Sequence, residues 1–326
     1  MNPEQFQIAQ ASTAQGILLL LRRQWDRMDS LDDWPSIANR VTLLTAAGQK
    51  ASAERAVAWT ADQLDVASDV DVAPLVGVAS DGRPLETMLY SSVARARQKH
   101  EEREEQVRYG RALLSSLAHT AIADAGRVAA GVMITATPRA GYVRQVRPPC
   151  CQRCAVLAGK FESWSTAFQR HPQCDCVNVP AHGPEDGQSI ELDDIRDLTA
   201  AQRQAIEDGA DMVQVINSHR GTASKMFTTE GTSRRGTYVK AWQDYVRLKG
   251  WQGRYFLPEV ELMPGERIAL APGRPTPARI YKLAKGRTQQ MRAAIPDREF
   301  ALAYLARYGY IRRGTPLYER ALRIKT

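Results

Sequence analysis

At 326 residues, with 44% hydrophobic and 25% charged side chains, the chain carries core material for two or three globular domains. Five cysteines confined to one short window exclude a secreted disulfide scaffold, and the strongest apolar run, Ile17 to Leu21, falls far short of the roughly 20 residues of a membrane span. The formal charge of +8 is divided unevenly: residues 201–326 hold 23 Lys/Arg against 11 Asp/Glu, whereas residues 1–200 hold 21 against 25.

The start, Met1 to Ala11, is polar and lacks a signal-peptide pattern, so the chain reads as a soluble protein made in a reducing cytoplasm. Its basic second half points to an anionic partner, either nucleic acid or an acidic protein surface. The fold class expected is α+β and mostly helical. Residues 1–130 form a helical region, 131–182 a small α+β domain, and 183–326 an extended, mixed, basic C-terminal region.

In chain order, a stripe of Ile8, Ile17, Leu18, Leu21 and Trp25 predicts a helix over Gln5–Met28. Val41–Val66, rich in Ala and good helix formers, predicts a second. Pro74–Pro84 interrupts the pattern, with Asp81-Gly82 as a turn signal. Leu85–Ala130 predicts the longest helix. Its middle, Arg95 to Arg108, is charged on nearly every face, which suits a solvated helix or one docked on a polar partner. From Ala112 to Val128 it turns apolar and enters a core. Val132–Ile134 and Tyr142–Val146 read as short strands, the second stopped by Pro148-Pro149, and Val177–Pro180 as a third.

His182 to Ser189 reads as a linker. Thr199 is placed to cap a helix start within Leu192–Ile216. Gly221–Thr237 reads as a loop or arm whose Arg234 and Arg235 suit phosphate or acidic contacts. After a further linker, Thr276-Pro277 marks the start of a helix running to about Met291. A last helix covers Asp297–Arg307.

All five cysteines lie within 27 residues, in the pattern Cys151-x2-Cys154, sixteen residues, then His171-x2-Cys174-x-Cys176, with Cys150 beside the first. Scattered core cysteines do not cluster in this way. A metal site requires it, because several ligands must meet within about 2.3 Å of one ion. The candidate ligands are Cys151, Cys154, His171, Cys174 and Cys176. Cys150, adjacent to Cys151, points elsewhere if the turn is regular. If the second half is extended, Cys174 and Cys176 face the same side and Asp175 faces away. His171 is then a fourth ligand, an alternative, or a group behind the ligands. A full thiolate and histidine set fits structural zinc better than catalytic zinc, which keeps an open position. The competing reading is packed thiols without metal, or disulfides formed after release from the cell. His100, His119, His182 and His219 read as surface or satisfied residues. No phosphate loop, nucleophile elbow or paired-carboxylate signature occurs.

The run Cys151-Gln152-Arg153-Cys154-Ala155-Val156-Leu157-Ala158-Gly159-Lys160, followed by His171-Pro172-Gln173-Cys174-Asp175-Cys176, resembles the phage Mu F-like minor head protein domain over about residues 125–182. The tail, through Leu198–Asn217 and Thr228–Gly236, is similar to that of minor capsid proteins from tailed phages of actinobacteria. The resemblance implies a virion component in the head interior, assembled in the host cytoplasm. It implies the portal protein and the major capsid protein as partners, and contact with packaged double-stranded DNA. It implies a structural role in head assembly, DNA packaging or ejection.

Contact residues proposed for the basic region are Arg234, Arg235, Lys282, Lys285, Arg287, Arg312 and Arg313. Some relatives carry a maturation protease or a toxin domain, and no such signature is found here. The alternatives are a metal- or thiol-dependent enzyme using Cys154 and His171, or a zinc-ribbon protein that binds nucleic acid outside a particle.

Overall fold

A computed structural model describes residues 1–183, 188–218, 228–229 and 274–324. The fold is α+β and mostly helical. No described helix is long and apolar enough to cross a membrane. The residues Arg234 and Arg235, His219 and most of the predicted Gly221–Thr237 arm lie outside the described residues.

Four helices form the body: α1 (Pro3–Trp25), α2 (Trp34–Leu64), α3 (Leu85–Lys99) and α4 (Arg103–Ala136). Asn2 opens α1 with a capping box, its side chain accepting from the Gln5 N–H at 2.8 Å while Gln5 Oε1 accepts from the Asn2 N–H at 3.1 Å. Small residues let α1, α2 and α4 approach closely. A Cβ on Gly48 would stand 2.7 Å from the Ile122 side chain, and one on Gly126 would stand 2.5 Å from Ser52 Oγ and 2.9 Å from Gln10 Nε2. Trp25, Trp34, Leu85, Leu89 and Leu114 fill one end of the bundle.

The expected helix over Leu85–Ala130 is two helices. His100 and Glu102 are extended, and α4 folds back antiparallel to α3. No Gly or Pro marks the corner. It is held by polar contacts, in which His100 Nδ1 meets Glu105 Oε2 at 3.0 Å and Gln106 Nε2 donates to the His100 carbonyl at 2.8 Å. The charged stretch docks on the turn after α1, through Arg97 to Asp32 at 2.5 Å and Arg103 Nε to the Asp29 carbonyl at 2.8 Å.

The expected strand at Val132–Ile134 is the last full turn of α4. β-Branched residues favour strands mainly by fitting half-buried surfaces. Here Val132, Met133 and Ile134 are all buried, and Thr135 and Thr137 hydroxyls bond back to the Gly131 and Met133 carbonyls at 2.8 and 3.1 Å. Tertiary burial overrides local preference.

After α4 comes β1 (Gly141–Gln145), then β2 (Cys150–Cys151), α5 (Gln152–Leu157), β3 (Phe161–Ser163), β4 (Gln169–Arg170) and β5 (Val177–Ala181). Strands β3, β1 and β5 form an antiparallel sheet in that order, with Tyr142 opposite Glu162 on one side and Pro180 on the other. Further on lie β6 (Ile195–Arg196), α6 (Ala200–Glu207), α7 (Met212–Ser218) and β7 (Thr228–Thr229). As expected, Thr199 caps α6, accepting from the Gln202 N–H at 3.1 Å. Strand β2 runs parallel to β6, and β4 pairs antiparallel with β7.

The C-terminal residues form α8 (Pro277–Lys285), α9 (Gln289–Ala294), α10 (Asp297–Arg307) and α11 (Pro316–Leu322). The single helix expected from Thr276 to Met291 is broken at Gly286, and Thr288 caps the second piece. These helices share a core with the bundle: Ile280, Tyr281, Leu302, Leu305 and Tyr310 pack in one cluster with Phe6, Val57, Met133 and Val179. Arg298 seals the junction by donating to the carbonyls at the end of α4, reaching Ile134 at 3.1 Å and also Thr137, and to Ala140 at 2.6 Å.

The small-residue contact between α2 and α4 generates a prediction. Gly126→Ala places a methyl group against Ser52 and Gln10 with no free space, which costs about 1–3 kcal/mol of stability. Gly131→Ala, where nothing lies within 4 Å of the added Cβ, leaves stability unchanged or slightly raised. Chemical denaturation of the two variants separates the outcomes.

Candidate metal centre

The five candidate ligands converge. Cys151 is the N-cap of α5 and Cys154 lies in its first turn, so the short helix presents both sulfurs on one side. His171 follows β4 directly and enters a turn, in which the Cys174 N–H donates to the His171 carbonyl at 3.2 Å and Gln173 adopts a left-handed φ of 62°. Cys174 closes this turn, and Cys174 to Cys176 lead into β5, which begins at Val177.

The sulfurs of Cys151 and Cys154 each lie 3.3 Å from His171 Nε2. Cys154 Sγ lies 3.8 Å from Cys174 Sγ and 3.3 Å from Cys176 Sγ. Donor atoms about 2.3 Å from one tetrahedral ion stand roughly 3.8 Å apart, whereas a disulfide needs about 2.05 Å. All five cysteines are free. Two triads, Cys151–Cys154–His171 and Cys154–Cys174–Cys176, each have their donor atoms within 4.8 Å of one another and can hold a metal ion, with Cys154 common to both. Cys150 stands apart, as expected. It pairs with Ile195 between β2 and β6, and burial pushes its thiol up to about 11.

The carbonyls of the ligand turn are gripped by the helical body. Arg127 on α4 donates from Nη2 to the Cys174 carbonyl at 2.5 Å and from Nε to the Cys176 carbonyl at 2.9 Å. Gln7 on α1 donates to the Asp175 carbonyl at 3.1 Å. Arg127 also pairs with Asp124 at 2.9 Å, and Arg170, next to His171, reaches both Asp124 oxygens at 2.7 and 2.8 Å through Nε. All three charged groups are buried. Phe168 lies between two guanidinium groups, 3.8 Å from Arg144 and 4.9 Å from Arg127.

Charge in the cluster is shared through close sulfur contacts. The Cys154 thiol, and then His171, hold Cys151 below the usual thiol range against the effect of burial. Contacts from Cys154 and Cys176, with the Arg127 and Arg144 charges adding, hold Cys174 well below it. Cys154, which serves its neighbours as a donor, is pushed up. His171 is raised by its contact with Cys151. A metal ion held by these sulfurs would replace their protons, so its binding would depend on pH.

One side of the cluster is open. A cleft of about 260 Å³ is bordered by Cys151, His171, Asp175, Arg147 and Arg196. Asp175 also lines this cleft, and its carboxylate belongs to neither of the two donor triads.

Sequence reasoning had no means of naming Gln7 or Arg144. Asp124 and Arg127 did leave a signal, as an acid and a base three residues apart inside an otherwise apolar stretch. His119, read as a surface or satisfied group, is buried under the ligand turn. Burial, then the Arg127 charge, lowers its pKa, and its Nδ1 has no hydrogen-bond partner among the described residues.

The basic residues named as contacts fall into three groups. Lys282 and Lys285 project from α8, and Arg312 and Arg313 from the turn before α11, all exposed. Arg287 is folded inward, donating to the Ile295 carbonyl at 2.5 Å and to Asp297 at 3.0 Å, with its side chain 7% exposed. Arg234 and Arg235 lie outside the described residues.

The Arg127 grip is testable. Arg127→Ala frees two buried carbonyls and leaves Asp124 to Arg170 alone. Metal affinity then falls about 10–100-fold and stability by roughly 3 kcal/mol. Arg127→Lys keeps the charge but cannot fork to two carbonyls, so it recovers only part of either loss. Competition against a chromophoric chelator, together with thermal unfolding, measures both.

No family model, curated protein or solved structure matches the chain.

Proposed function

We propose that the chain is a minor head protein of a tailed phage, of the Mu F-like type, in which a structural zinc ion ties the Cys/His segment to a helical body. The observation that carries the reading is the convergence of the motif: Cys151, Cys154, His171, Cys174 and Cys176, split by sixteen residues of sequence, gather around the sulfur of Cys154. These are the residues on which the resemblance rests. A set of thiolates and one imidazole suits zinc by ligand softness, and the sulfur spacing suits tetrahedral bonding.

In this role the helical body docks on the portal protein or the inner face of the major capsid protein, and the basic surface follows the packaged DNA. Residues 274–324 hold 12 Lys/Arg against 3 Asp/Glu, and the exposed Lys282, Lys285, Arg312 and Arg313 stand on that surface. Contacts of this kind go to phosphate and carry no base specificity.

A thiol-based activity is the weaker reading. The Cys154 sulfur lies within reach of His171, but it is 4% exposed and surrounded by other sulfurs. That arrangement suits a ligand better than an attacking group that a substrate must reach.

Elemental analysis tests the metal. About one zinc per purified chain is expected, with four or five thiols protected until chelation. Cys154→Ala loses the ion, and chelation lowers the melting temperature of the native chain. A metal-free chain with freely reactive thiols would sink the zinc reading. The virion role is checked by detecting the chain at low copy number in purified phage particles, and its absence from them would count against it.

For the basic face, Lys282→Ala combined with Lys285→Ala should weaken duplex DNA binding equally across unrelated sequences. It should also reduce the slope of log affinity against log salt by about 2.

A further inference from the structure

We infer that Cys151 and Cys154 form an oxidation site for hydroperoxides, and that closing their disulfide expels the metal ion. The inference rests on the proposed metal reading for the ion and on geometry for the thiols. Cys151 is half-buried, whereas Cys150, Cys154, Cys174 and Cys176 are buried. The 260 Å³ cleft that it borders is lined by Cys150, Cys154 and Cys176 as well, so the difference in exposure, and not the cleft alone, makes Cys151 the first sulfur that a peroxide of a few heavy atoms meets. Cys174 and Cys176 are drawn toward the helical body by Arg127, which grips both of their carbonyls. Cys154 is the resolving partner. Its sulfur and that of Cys151 each lie 3.3 Å from the same imidazole nitrogen.

The steps balance. The Cys151 thiolate attacks one peroxide oxygen, the O–O bond breaks, and hydroxide leaves with Cys151 as the sulfenic acid. The Cys154 sulfur then attacks the Cys151 sulfur, the S–O bond breaks, and the departing hydroxide takes the Cys154 proton and leaves as water. Two electrons pass from the two sulfurs to one hydroperoxide. The disulfide sulfurs are neutral and no longer ligate, so the ion loses two donors at once, including the one common to both triads. Cys150 takes no part despite being next in sequence, because it is held against Ile195 between β2 and β6.

The test uses the full-length purified chain, exposed to equimolar and to roughly ten-fold excess hydrogen peroxide. Dimedone trapping, peptide mapping and a chromophoric zinc indicator are read together. Expected are a dimedone adduct on Cys151, a disulfide between Cys151 and Cys154, ion release in step with that disulfide, and the same behaviour in Cys150→Ser. An adduct on another cysteine overturns the inference, as does a disulfide that includes Cys150 or Cys176, or thiols that survive the excess. A chain purified without zinc removes the metal reading instead, and the adduct map then still decides whether Cys151 reacts first.

Discussion

Asp124 is a carboxylate in the interior, and such a group is tolerated only where opposite charge and hydrogen bonds replace its lost water. Arg170 supplies bonds to both of its oxygens and Arg127 supplies another. One arginine comes from α4 and the other from the residue preceding His171. Charge balance therefore requires the cysteine segment to sit at this place on the helix. Arg127 then uses its remaining N–H groups on the carbonyls of Cys174 and Cys176. The ion-pair triad and the ligand frame are one network, joined through Arg127.

The same network sets the electrostatics of the sulfurs. Arg127 and Arg144 both favour the charged form of Cys174. A metal ion held here would replace thiol protons, and the two guanidinium groups would offset the negative charge that a set of thiolates leaves over. Metal binding at this site would therefore be coupled to pH through the thiols and to the helical body through the arginines.

The motif was legible in the sequence because ligand chemistry imposes spacing, and Cys151, Cys154, His171, Cys174 and Cys176 all come together. Thr199, Thr276 and the span Asp297–Arg307 were legible because caps and short-range periodicity are local. The corner at His100–Glu102 was not, since it is closed by His100, Glu105 and Gln106 side chains and carries neither Gly nor Pro. Val132–Ile134 misled because residues buried on every side lose the alternation that separates strand from helix. Gln7, Arg144 and Arg298 act on carbonyls or rings distant in sequence, and no local pattern encodes such pairings. Arg287 counted as surface charge in the sequence, yet its partners Ile295 and Asp297 draw it inward.

The end of α4 is the shared support of the molecule. Over Asp124 to Thr137 it holds the metal segment through Asp124 and Arg127. It holds the C-terminal helices through Thr135, whose hydroxyl lies 3.0 Å from that of Tyr281, and through the carbonyls that Arg298 caps. A helix bonded along its length transmits a shift at one end to the other, because its interior is close-packed. The basic helices and the metal segment are thus both fixed to one helix and not to separate tethers. In the proposed role, an ion that stiffens the ligand turn also steadies the surface that presents Lys282 and Lys285. A staple in the middle of the chain can in this way serve a contact made near its end.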